Sequence, residues 1–297
     1  MSINENIKAL DPHDADYPIK LKEFLKDPKK IYYTGDLKLA DAVSIAVVGS
    51  RACSAYGRAI ATEIGRRATA FGVNIVSGLA KGIDGAAHLG VLDSGGRTIG
   101  VIANGLDIFY PYENRNTQRK IAEEGLLISE YPVGEESKPW YFPLRNRIIS
   151  ALSDAVIVVE ANTRSGSLIT AECAIEQGKE VYAVPGNIMS QNSLGTNKLI
   201  ADGARPLYYI DQVFHELIAR RILKPPTDID NINENTSLGQ REKELILALK
   251  NGGELSMEDL SNKLKISIAE LNGLVSVLEI KGIVFSEMGK VMIAKSL

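Results

Sequence analysis

The sequence has few cysteines and no long apolar run. Its two cysteines, Cys53 and Cys173, stand far apart and outside any CxxC pair, so neither a disulfide framework nor a structural zinc site is indicated. The longest apolar runs have the length of a strand, as from Ala155 to Val159, and the polar N-terminus lacks the features of an export signal. We therefore expect reduced thiols, no membrane span and a cytoplasmic location.

The sequence also lacks an excess of positively charged residues. The 34 Lys and Arg residues face 37 Asp and Glu residues, which gives a formal net charge of -3. Because the whole molecule cannot attract a polyanion by net charge, any nucleic-acid or phosphate site has to be a local patch. The hydrophobic share of 45% and the charged share of 24% are those of a globular protein. A length of 297 residues favours two domains over one.

Short β-branched runs alternate with helical segments from about Val43 onward. Six runs predict buried parallel strands: SIAVV, VNIVS, TIGVI, LLISE, AVIVVE and EVYAVP. Between the first two runs, apolar residues recur at helical spacing from Ala59 to Phe71 and Gly72 ends the segment, as a crossover helix requires. The pattern predicts an α/β fold with a doubly wound, mostly parallel, Rossmann-like sheet, whose ligands bind in loops at the carboxyl ends of the strands.

Composition divides the chain into four segments. Residues 1–36 are short fragments broken by prolines and predict an N-terminal arm or cap, whereas residues 37–222 hold the Rossmann-like pattern. Residues 223–238 are rich in Pro, Asp and Asn and predict a linker. Residues 239–297 show three helical stretches and two short strands around Gly289, which is the pattern of a small winged-helix domain.

Two glycine-containing loops with a nearby cation predict an anion site. The loop after the first strand contains Gly49, Ser50 and Arg51, and the second strand ends in a loop with Ser77, Gly78 and Lys81. Backbone N–H groups at a helix N-terminus suit a phosphate, and a long polyanion needs several such contacts in line. The alternative is that Gly49 only permits a tight turn. The dinucleotide pattern GxGxxG is absent, which disfavours NAD, and we expect no cofactor and no metal.

The segment from Lys138 to Arg147 places three aromatic residues among three cations. Aromatic faces stack on unpaired bases while cations meet the backbone, so this mixture suits single-stranded nucleic acid. Phe142 and Arg145 are the favoured contacts, and at least one of the other two aromatic residues is expected to pack into the core. Arg145 and Arg147 point to different sides of a helix, so we expect one to face a ligand and the other to support the fold.

Further polar turns precede later helices. Ser165 and Gly166 lie in a third Ser-Gly turn, which either binds a phosphate or only caps its helix. Lys198 follows in another polar, glycine-containing segment and could extend a basic rim. His88 lies four residues after Asp84 and could form an acid/base pair with it, but a hydrogen-bonded structural histidine is favoured.

Five motifs together resemble, in order and spacing, the DprA/Smf family of DNA-processing proteins. The motifs are VGSRACSAYG, SGLAKGIDGAAH, FPLRNRIIS, SGSLITAE and VPGNIMSQNSLGTNKLIADGA, and the likeness runs from about Tyr17 to Tyr209. The resemblance implies an extended Rossmann-like domain that binds and protects single-stranded DNA, forms homodimers and loads the RecA recombinase during natural transformation. It implies no catalytic reaction. Single-strand-binding protein is a further candidate partner.

The resemblance also places the family's DNA pocket on positions of this sequence. Those positions are Gly49, Ser50, Arg51, Ser77, Gly78, Lys138, Phe142, Arg145 and Arg147, followed by Ser165, Gly166 and Lys198. Longer members of the family carry an N-terminal helical domain that resembles a sterile alpha motif. Residues 1–36 of this chain are too few to form such a domain. The functions of that domain are therefore not implied for this chain.

Two alternative functions stay open. Nucleoside-monophosphate phosphoribohydrolases have a similar Rossmann-like core, but their Pro-Gly-Gly-x-Gly-Thr loop is replaced here by the Ser165–Gly166 turn, with Glu172 following. A nucleotide-binding or nucleotide-hydrolysing enzyme is therefore one alternative. A duplex-binding regulator is the other, and it is disfavoured because residues 239–297 hold 8 Lys and Arg against 8 Asp and Glu. Protein interaction or support of a dimer is at least as good a role for that domain.

Overall fold

The structure, a computed structural model, describes residues 6–224, 239–280, 283–287 and 289–293. The chain forms two compact units, residues 1–223 and 224–297. The predicted linker, residues 223–238, lies outside the described residues apart from its first two. Within the described ranges, no helix combines the length and apolarity needed to cross a membrane.

A mostly parallel sheet forms the centre of the first unit. Its described strands are β1 (Lys8–Leu10), β2 (Ile31–Gly35), β3 (Ser44–Val48), β4 (Asn74–Ser77), β5 (Thr98–Val101), β6 (Leu126–Ser129), β7 (Ala155–Val158), β8 (Glu180–Ala183) and β9 (Arg205–Pro206). Their order across the sheet is β1-β2-β6-β5-β4-β3-β7-β8-β9. All neighbours from β6 to β9 pair in parallel, and β1 and β2 are antiparallel. The predicted doubly wound, Rossmann-like sheet and its six parallel strands are confirmed.

Helices connect the parallel strands. In the first unit they are α1 (Ile19–Phe24), α2 (Ala55–Ala70), α3 (Ile83–Leu92), α4 (Arg115–Glu124), α5 (Tyr141–Leu152), α6 (Ser167–Glu176), α7 (Leu194–Ala201) and α8 (Gln212–Ala219). Short 3-10 helices lie at Leu37–Asp41, Tyr112–Asn114 and Gln191–Ser193. The predicted crossover helix is α2, which begins after Ser54 and ends before Gly72, whose φ of 67° only glycine adopts without strain.

The core lies on both faces of the sheet. Ala46 and Val48 of β3 pack in one apolar cluster with residues of α5, whereas Ile45 and Val47 pack in a second cluster with residues of α2. Both faces of a parallel strand are thus buried, which explains why these strands consist of continuous β-branched runs rather than alternating ones. Full burial of each such side chain stabilises the fold by about 1.5–3 kcal/mol.

The described part of residues 1–36 belongs to the sheet and its core. β2 pairs with β6, β1 pairs with β2, and Tyr17 and Leu21 are buried with the residues of α5. From the sequence we expected an arm or cap. The two strands have only 3 and 5 residues, and prolines interrupt the segment between them, so no periodic signal distinguishes them from loops.

The strand order reverses between β3 and β7. From β3 the sheet continues through β4, β5 and β6 in one direction and through β7, β8 and β9 in the other. The loops that leave the carboxyl ends of β3 and β7 therefore turn to opposite faces of the sheet and leave a crevice between them, where open α/β sheets bind ligands.

The second unit contains three helices and a small antiparallel sheet. Its described elements are α9 (Gln240–Gly252), β10 (Leu255–Ser256), α10 (Met257–Leu264), α11 (Ile268–Ile280), β11 (Val284–Glu287) and β12 (Lys290–Ile293). The strand order is β10-β12-β11, and Gly289, with φ of 78°, lies between β11 and β12. Leu249, Leu260 and Leu271 are buried in a core of its own. Helices and strands follow one another in the predicted order, and the winged-helix assignment stays a prediction.

Candidate nucleic-acid interface

A cleft of about 610 Å³ opens at the point where the strand order reverses. Loops after β3 and β7 and the first half of α5 form its walls. Seven of the predicted site residues line it: Gly49, Ser50, Arg51, Phe142, Arg145, Ser165 and Gly166. The fold therefore brings together residues that are more than a hundred positions apart in the chain.

A smaller cavity of about 80 Å³ lies beside the cleft. Gly78 and Lys81, from the loop after β4, line it together with Arg51, Phe142 and Arg145, which also line the cleft. The two predicted glycine loops are thus neighbours in space, as the order of β3 and β4 in the sheet requires.

Glu160, at the end of β7, holds the loop after β3 from behind. Its backbone oxygen accepts a hydrogen bond from the Ser50 N–H at 2.7 Å. Its carboxylate accepts one from the Ser54 N–H at 2.8 Å and another from the Ser54 hydroxyl. We expected free N–H groups at this helix N-terminus. The Ser54 N–H is instead bound by the buried Glu160 carboxylate, which fills the place that an anion would take, and the Ser50 N–H is bound by the Glu160 backbone oxygen.

Gly49 is required by close packing. A Cβ atom at this position would lie 2.7 Å from Cγ1 of Ile83 and 2.9 Å from the backbone oxygen of Glu160. Its φ is not positive, so the loop needs glycine because α3 and β7 approach it and not because of its backbone conformation. The structure therefore gives Gly49 a packing role rather than the turn-forming role of the alternative, and the anion site depends on the side chains around it.

Arg51, Phe142 and Tyr110 form a cluster at the mouth of the cleft, in which the Tyr110 ring is tilted by 41° against the Phe142 ring. The Arg51 guanidinium carbon lies 4.9 Å from the centre of the Phe142 ring, and that ring lies 5.6 Å from the ring of Tyr110. Arg51 is exposed, and no carboxylate of the described residues forms an ion pair with it. A cation without an acidic partner beside two accessible rings can meet a phosphate and an unpaired base together.

Arg145 is buried under the cleft and is already bound. Its Nη1 donates to the backbone oxygen of Gly78 at 2.7 Å and to that of Val101. Burial, in the first place, lowers the pKa of Arg145 to about 10. A Cβ at position 78 would lie 2.5 Å from the guanidinium. Arg145 therefore fixes the loops after β4 and β5 against α5.

Ser77 and Arg147 lie away from the cleft. The Ser77 hydroxyl is buried and donates to the Val47 oxygen at 2.6 Å, inside the sheet. Arg147 forms a bidentate ion pair with Glu130 at 2.6 and 2.7 Å and lines a different cavity, beside Cys173. Of the two arginines on α5, neither guanidinium is free.

The predicted rim lysines are all ion-paired at the surface. Lys81 bonds to Glu113, Lys138 bonds to Glu135 at 2.8 Å, and Lys198 bonds to Asp202 on the outer side of α7. The hydrogen bond that Lys138 donates to Glu135 raises the pKa of Lys138 above its usual value. Exposed pairs such as these are worth at most about 1 kcal/mol and exchange partners readily, so Lys81 remains an available cation beside the cleft.

The aromatic residues before α5 differ in their exposure. Tyr141 is half-buried, and its ring stacks on that of Tyr131 with centres 3.9 Å apart. Trp140 keeps 61% of its surface exposed. Tyr141 lies outside the apolar clusters of the core because its hydroxyl donates to Glu135, so the expectation that one of these two residues packs into the core is wrong.

Hydroxyl and amide groups form the opposite wall of the cleft. The hydroxyls of Ser165 and Ser167 lie 2.8 Å apart at the start of α6, and Asn146 donates to the Gly166 oxygen at 3.0 Å. Asn162 and Thr170 line the same wall. These groups can donate to phosphate oxygens that Arg51 attracts.

Asp84 and His88 do not act as a pair. His88 is fully buried, its Nδ1 lies 2.7 Å from the Thr98 hydroxyl, and burial lowers its pKa to about 3. Asp84 accepts from the Gly78 N–H at 3.1 Å, and burial raises its pKa. Each residue has its own structural hydrogen-bond partner, in agreement with the favoured interpretation of His88 as a structural histidine.

Glu172, the residue that kept the hydrolase alternative open, is exposed on α6 and is not among the residues that line the cleft. Several lining residues were not among the predicted site residues, among them Tyr110, Asn146, Asn162 and Thr170, and neither was the supporting Glu160. Tyr110 precedes Pro111 at the end of the loop after β5, and the aromatic residues on both sides of that proline, Phe109, Tyr110 and Tyr112, were the one available signal.

Comparisons with known proteins match the unit that holds the cleft. A model of the family described as DNA recombination-mediator protein A matches residues 8–218. The chain is 48% identical over 192 residues to the DNA processing protein DprA of Streptococcus pneumoniae, which covers 65% of this chain and 68% of that protein.

Solved structures agree with the sequence comparison. The X-ray structure of DNA processing protein A from Streptococcus pneumoniae has a TM-score of 0.68 at 43% identity, over 72% of this chain and 75% of that one. A structure of DNA processing protein A from Helicobacter pylori, solved for its single-stranded DNA binding mode, has a TM-score of 0.66 at 32% identity, over 74% of this chain and 99% of that one.

Proposed function

The chain belongs to the DNA recombination-mediator protein A family, and from that premise we propose that it binds single-stranded DNA in the cleft at the ends of β3 and β7. The relative from Helicobacter pylori, whose structure concerns single-stranded DNA binding, supports this substrate. We propose that the protein acts by binding and positioning DNA, with no chemical step of its own.

The proposal depends on one observation, the cluster of Arg51, Phe142 and Tyr110 at the mouth of the cleft. Duplex DNA keeps its bases paired and stacked, whereas a single strand can offer a base to a ring. Tyr110 is 44% exposed, and Arg51 has no ion-pair partner among the described residues. Phosphate attraction and base stacking therefore coincide at one place, which favours a single strand over a duplex.

The predicted site residues take different roles in this proposal. Arg51 and the hydroxyls of Ser50 and Ser165 contact phosphates, Gly49 and Gly166 allow the strand to approach the backbone, and Phe142 stacks on a base. Lys138 exchanges its carboxylate partner for a phosphate, whereas Lys81 stays bound to Glu113 and contacts the strand through its remaining N–H groups. Arg145, through the Gly78 and Val101 oxygens, positions the cleft wall. Ser77, Arg147 and Lys198 lie outside the cleft, and we give them no direct contact.

The later steps follow from the family resemblance. We propose that a homodimer in the cytoplasm protects the incoming strand during natural transformation and passes it to RecA, in exchange with single-strand-binding protein. RecA-driven strand exchange on DNA coated with that protein tests this step. Addition of the chain should shorten the lag before exchange, and an unchanged lag would contradict the mediator role.

Fluorescence anisotropy of a labelled oligothymidine tests the binding site. Arg51→Ala should weaken binding about tenfold or more, since it removes a phosphate contact and the cation on Phe142. Arg66→Ala is the matched control, because Arg66 is also an exposed arginine but pairs with Glu63 on α2. Wild-type affinity should fall with salt and be lower for a duplex of equal length.

Equal weakening by both substitutions, or binding that ignores salt, would contradict the proposal. Because Arg51 is exposed and makes no hydrogen bond among the described residues, its substitution should leave the thermal unfolding temperature unchanged. Released base after incubation with nucleoside monophosphates would instead favour the hydrolase alternative.

A further inference from the structure

A second group of cations and aromatic rings lies at the start of α4. The Arg115 guanidinium carbon lies 4.4 Å from the centre of the Tyr112 ring, and that of Arg119 lies 5.0 Å from the centre of the Phe109 ring. We call these four residues the α4 strip. Arg115 and Arg119 are four positions apart, so they lie on one face of the helix, about 6 Å apart along its axis.

Several surface cations outside the α4 strip and the cleft are held in ion pairs. Lys81, Lys138, Lys198, Arg66 and Arg97 all pair with carboxylates. Within the described ranges, by contrast, no carboxylate pairs with Arg115, Arg119 or the adjacent Lys120. A protein with a net charge of -3 thus keeps unpaired cations together here.

The acidic groups near the α4 strip leave its cations free. Glu113 lies within the segment, but Lys81 binds its carboxylate, and that hydrogen bond lowers the pKa of Glu113. Glu123 and Glu124 lie in the last turn of α4. The strip therefore carries the net positive charge that a polyanion requires locally.

Hydrogen bonds fix the α4 strip to the cleft. Asn114, the residue before Arg115, donates through Nδ2 to the backbone oxygens of Leu79 at 2.9 Å and Ala80 at 3.0 Å. Ala80 lines both the cleft and the smaller cavity. Tyr110, at the cleft mouth, lies in sequence between Phe109 and Tyr112. The strip thus begins where the lining of the cleft ends.

The loop that carries Phe109 is fixed in the same way. Gln118 of α4 donates through Nε2 to the backbone oxygens of Leu106 at 3.3 Å and Ile108 at 3.0 Å. Gln118 is fully buried, so water does not compete for these bonds. A ligand that binds the strip therefore meets side chains whose backbone is already held in place, which reduces the entropy lost on binding.

We propose that the α4 strip binds the part of the single strand that leaves the cleft past Tyr110. This inference rests on the proposed function, since it extends the same bound strand. Arg115 donates one N–H to the Tyr112 backbone oxygen at 3.4 Å, and the remaining guanidinium N–H groups stay available, so that phosphate oxygens can accept hydrogen bonds from them. Tyr112 keeps 66% of its surface exposed and offers its ring to a base.

The test compares two oligothymidines on the full chain. The short one has the minimal length that still binds wild type, and the long one extends beyond it at both ends. Arg115→Ala combined with Arg119→Ala should weaken binding of the long strand about tenfold and leave the short strand unchanged. The slope of log affinity against log salt should fall by about 1.4 for the long strand, since each single-strand phosphate contact contributes about 0.7.

The matched control replaces two other exposed arginines. Arg66→Ala combined with Arg97→Ala removes the same charge from α2 and from the turn before β5, and it should leave both strands bound as in wild type. Arg115→Lys combined with Arg119→Lys keeps the charge without the planar stack, and it should restore the salt slope but only part of the affinity.

The outcomes separate the two proposals. Equal binding of the long strand by wild type and the double alanine variant overturns the role of the α4 strip and leaves the cleft intact. Loss of the short strand as well, in a variant with a wild-type circular dichroism melt, also overturns it, because the strip would then belong to the minimal site. Failure of wild type to bind either strand overturns the proposed function itself.

Discussion

Arg51 and Arg145 both line the cleft, and their surroundings decide what each can do. Arg145 is buried and donates to two carbonyl oxygens, so a phosphate would have to replace bonds that already exist. Arg51 is exposed and rests on Phe142, so its N–H groups remain available to a ligand. The charge of an arginine alone does not show whether it supports the fold or binds a ligand. The hydrogen-bond partners of its guanidinium distinguish the two roles.

Gly49 allows a direct test of how tightly the loop after β3 is packed. Gly49→Ala should lower the free energy of unfolding by about 1–3 kcal/mol, because its methyl group would overlap Ile83 and the Glu160 backbone. It should also weaken DNA binding, since Arg51 lies two residues further on. Urea unfolding and anisotropy measure the two effects.

Gly166→Ala is the control for this prediction. Gly166 lines the same cleft, but no heavy atom lies within 4 Å of the position that its Cβ would take. The free energy of unfolding should therefore stay within about 0.5 kcal/mol of wild type. Equal stability of the two variants would show that the loop after β3 is looser than its contacts indicate.

At the scale of elements, Glu160 joins the end of β7 to the beginning of α2. Glu160→Ala should lower the free energy of unfolding by about 1–3 kcal/mol, because it leaves the Ser54 N–H and hydroxyl without their acceptor. DNA binding should weaken too, although Glu160 is buried and takes no part in the proposed contacts.

Glu172→Ala, at an exposed position on α6, is the comparison for Glu160. It removes the same charge and should change neither the urea midpoint nor the affinity for oligothymidine. Tighter DNA binding by Glu160→Ala would contradict the supporting role and indicate that its carboxylate chiefly repels phosphate.

Whether an element can be predicted from the sequence depends on whether its residue pattern is local or its formation depends on distant parts of the chain. The six parallel strands have continuous β-branched runs because both their faces are buried, and that signal is local. β1 and β9 are edge strands of only 3 and 2 residues, and β2, with the sequence IYYTG between β1 and β6, lacks a continuous β-branched run. Their pairing comes from the neighbouring strands.

The sequence predicted the loops of the candidate site but not the residues that hold these loops in place. Glycine beside a cation after a strand is a local pattern, and it marked Gly49 to Arg51 correctly as part of the cleft. Arg145 bonds to residues 67 and 44 positions away, and Glu160 bonds to one 106 positions away. Such partners depend on the folded topology, so a sequence pattern cannot distinguish a supporting arginine from a binding one.

At the scale of the whole molecule, the cleft and the α4 strip lie entirely in the first unit. A chain that ends at Leu223 should therefore keep the affinity of the full chain for oligothymidine within about twofold, since all the proposed phosphate contacts remain. The second unit, residues 224–297, holds 9 Lys and Arg against 11 Asp and Glu, so its removal takes away no net attraction for DNA.

Anisotropy of the shortened chain, beside its circular dichroism melt, measures this. Loss of all DNA binding from a shortened chain that melts cooperatively would favour the winged-helix prediction as the DNA reader. The first unit has its own buried core on both faces of the sheet, which supports its folding without the second.

Photo-cross-linking tests the central claim most directly, because it reports where the strand lies. An oligothymidine with photoreactive bases is irradiated with the full chain, and the attached peptides are identified by mass spectrometry. The proposal predicts cross-links in the peptides that contain Tyr110 and Phe142, lost in Arg51→Ala. Cross-links confined to residues 239–293, or spread over the surface without preference, would contradict it.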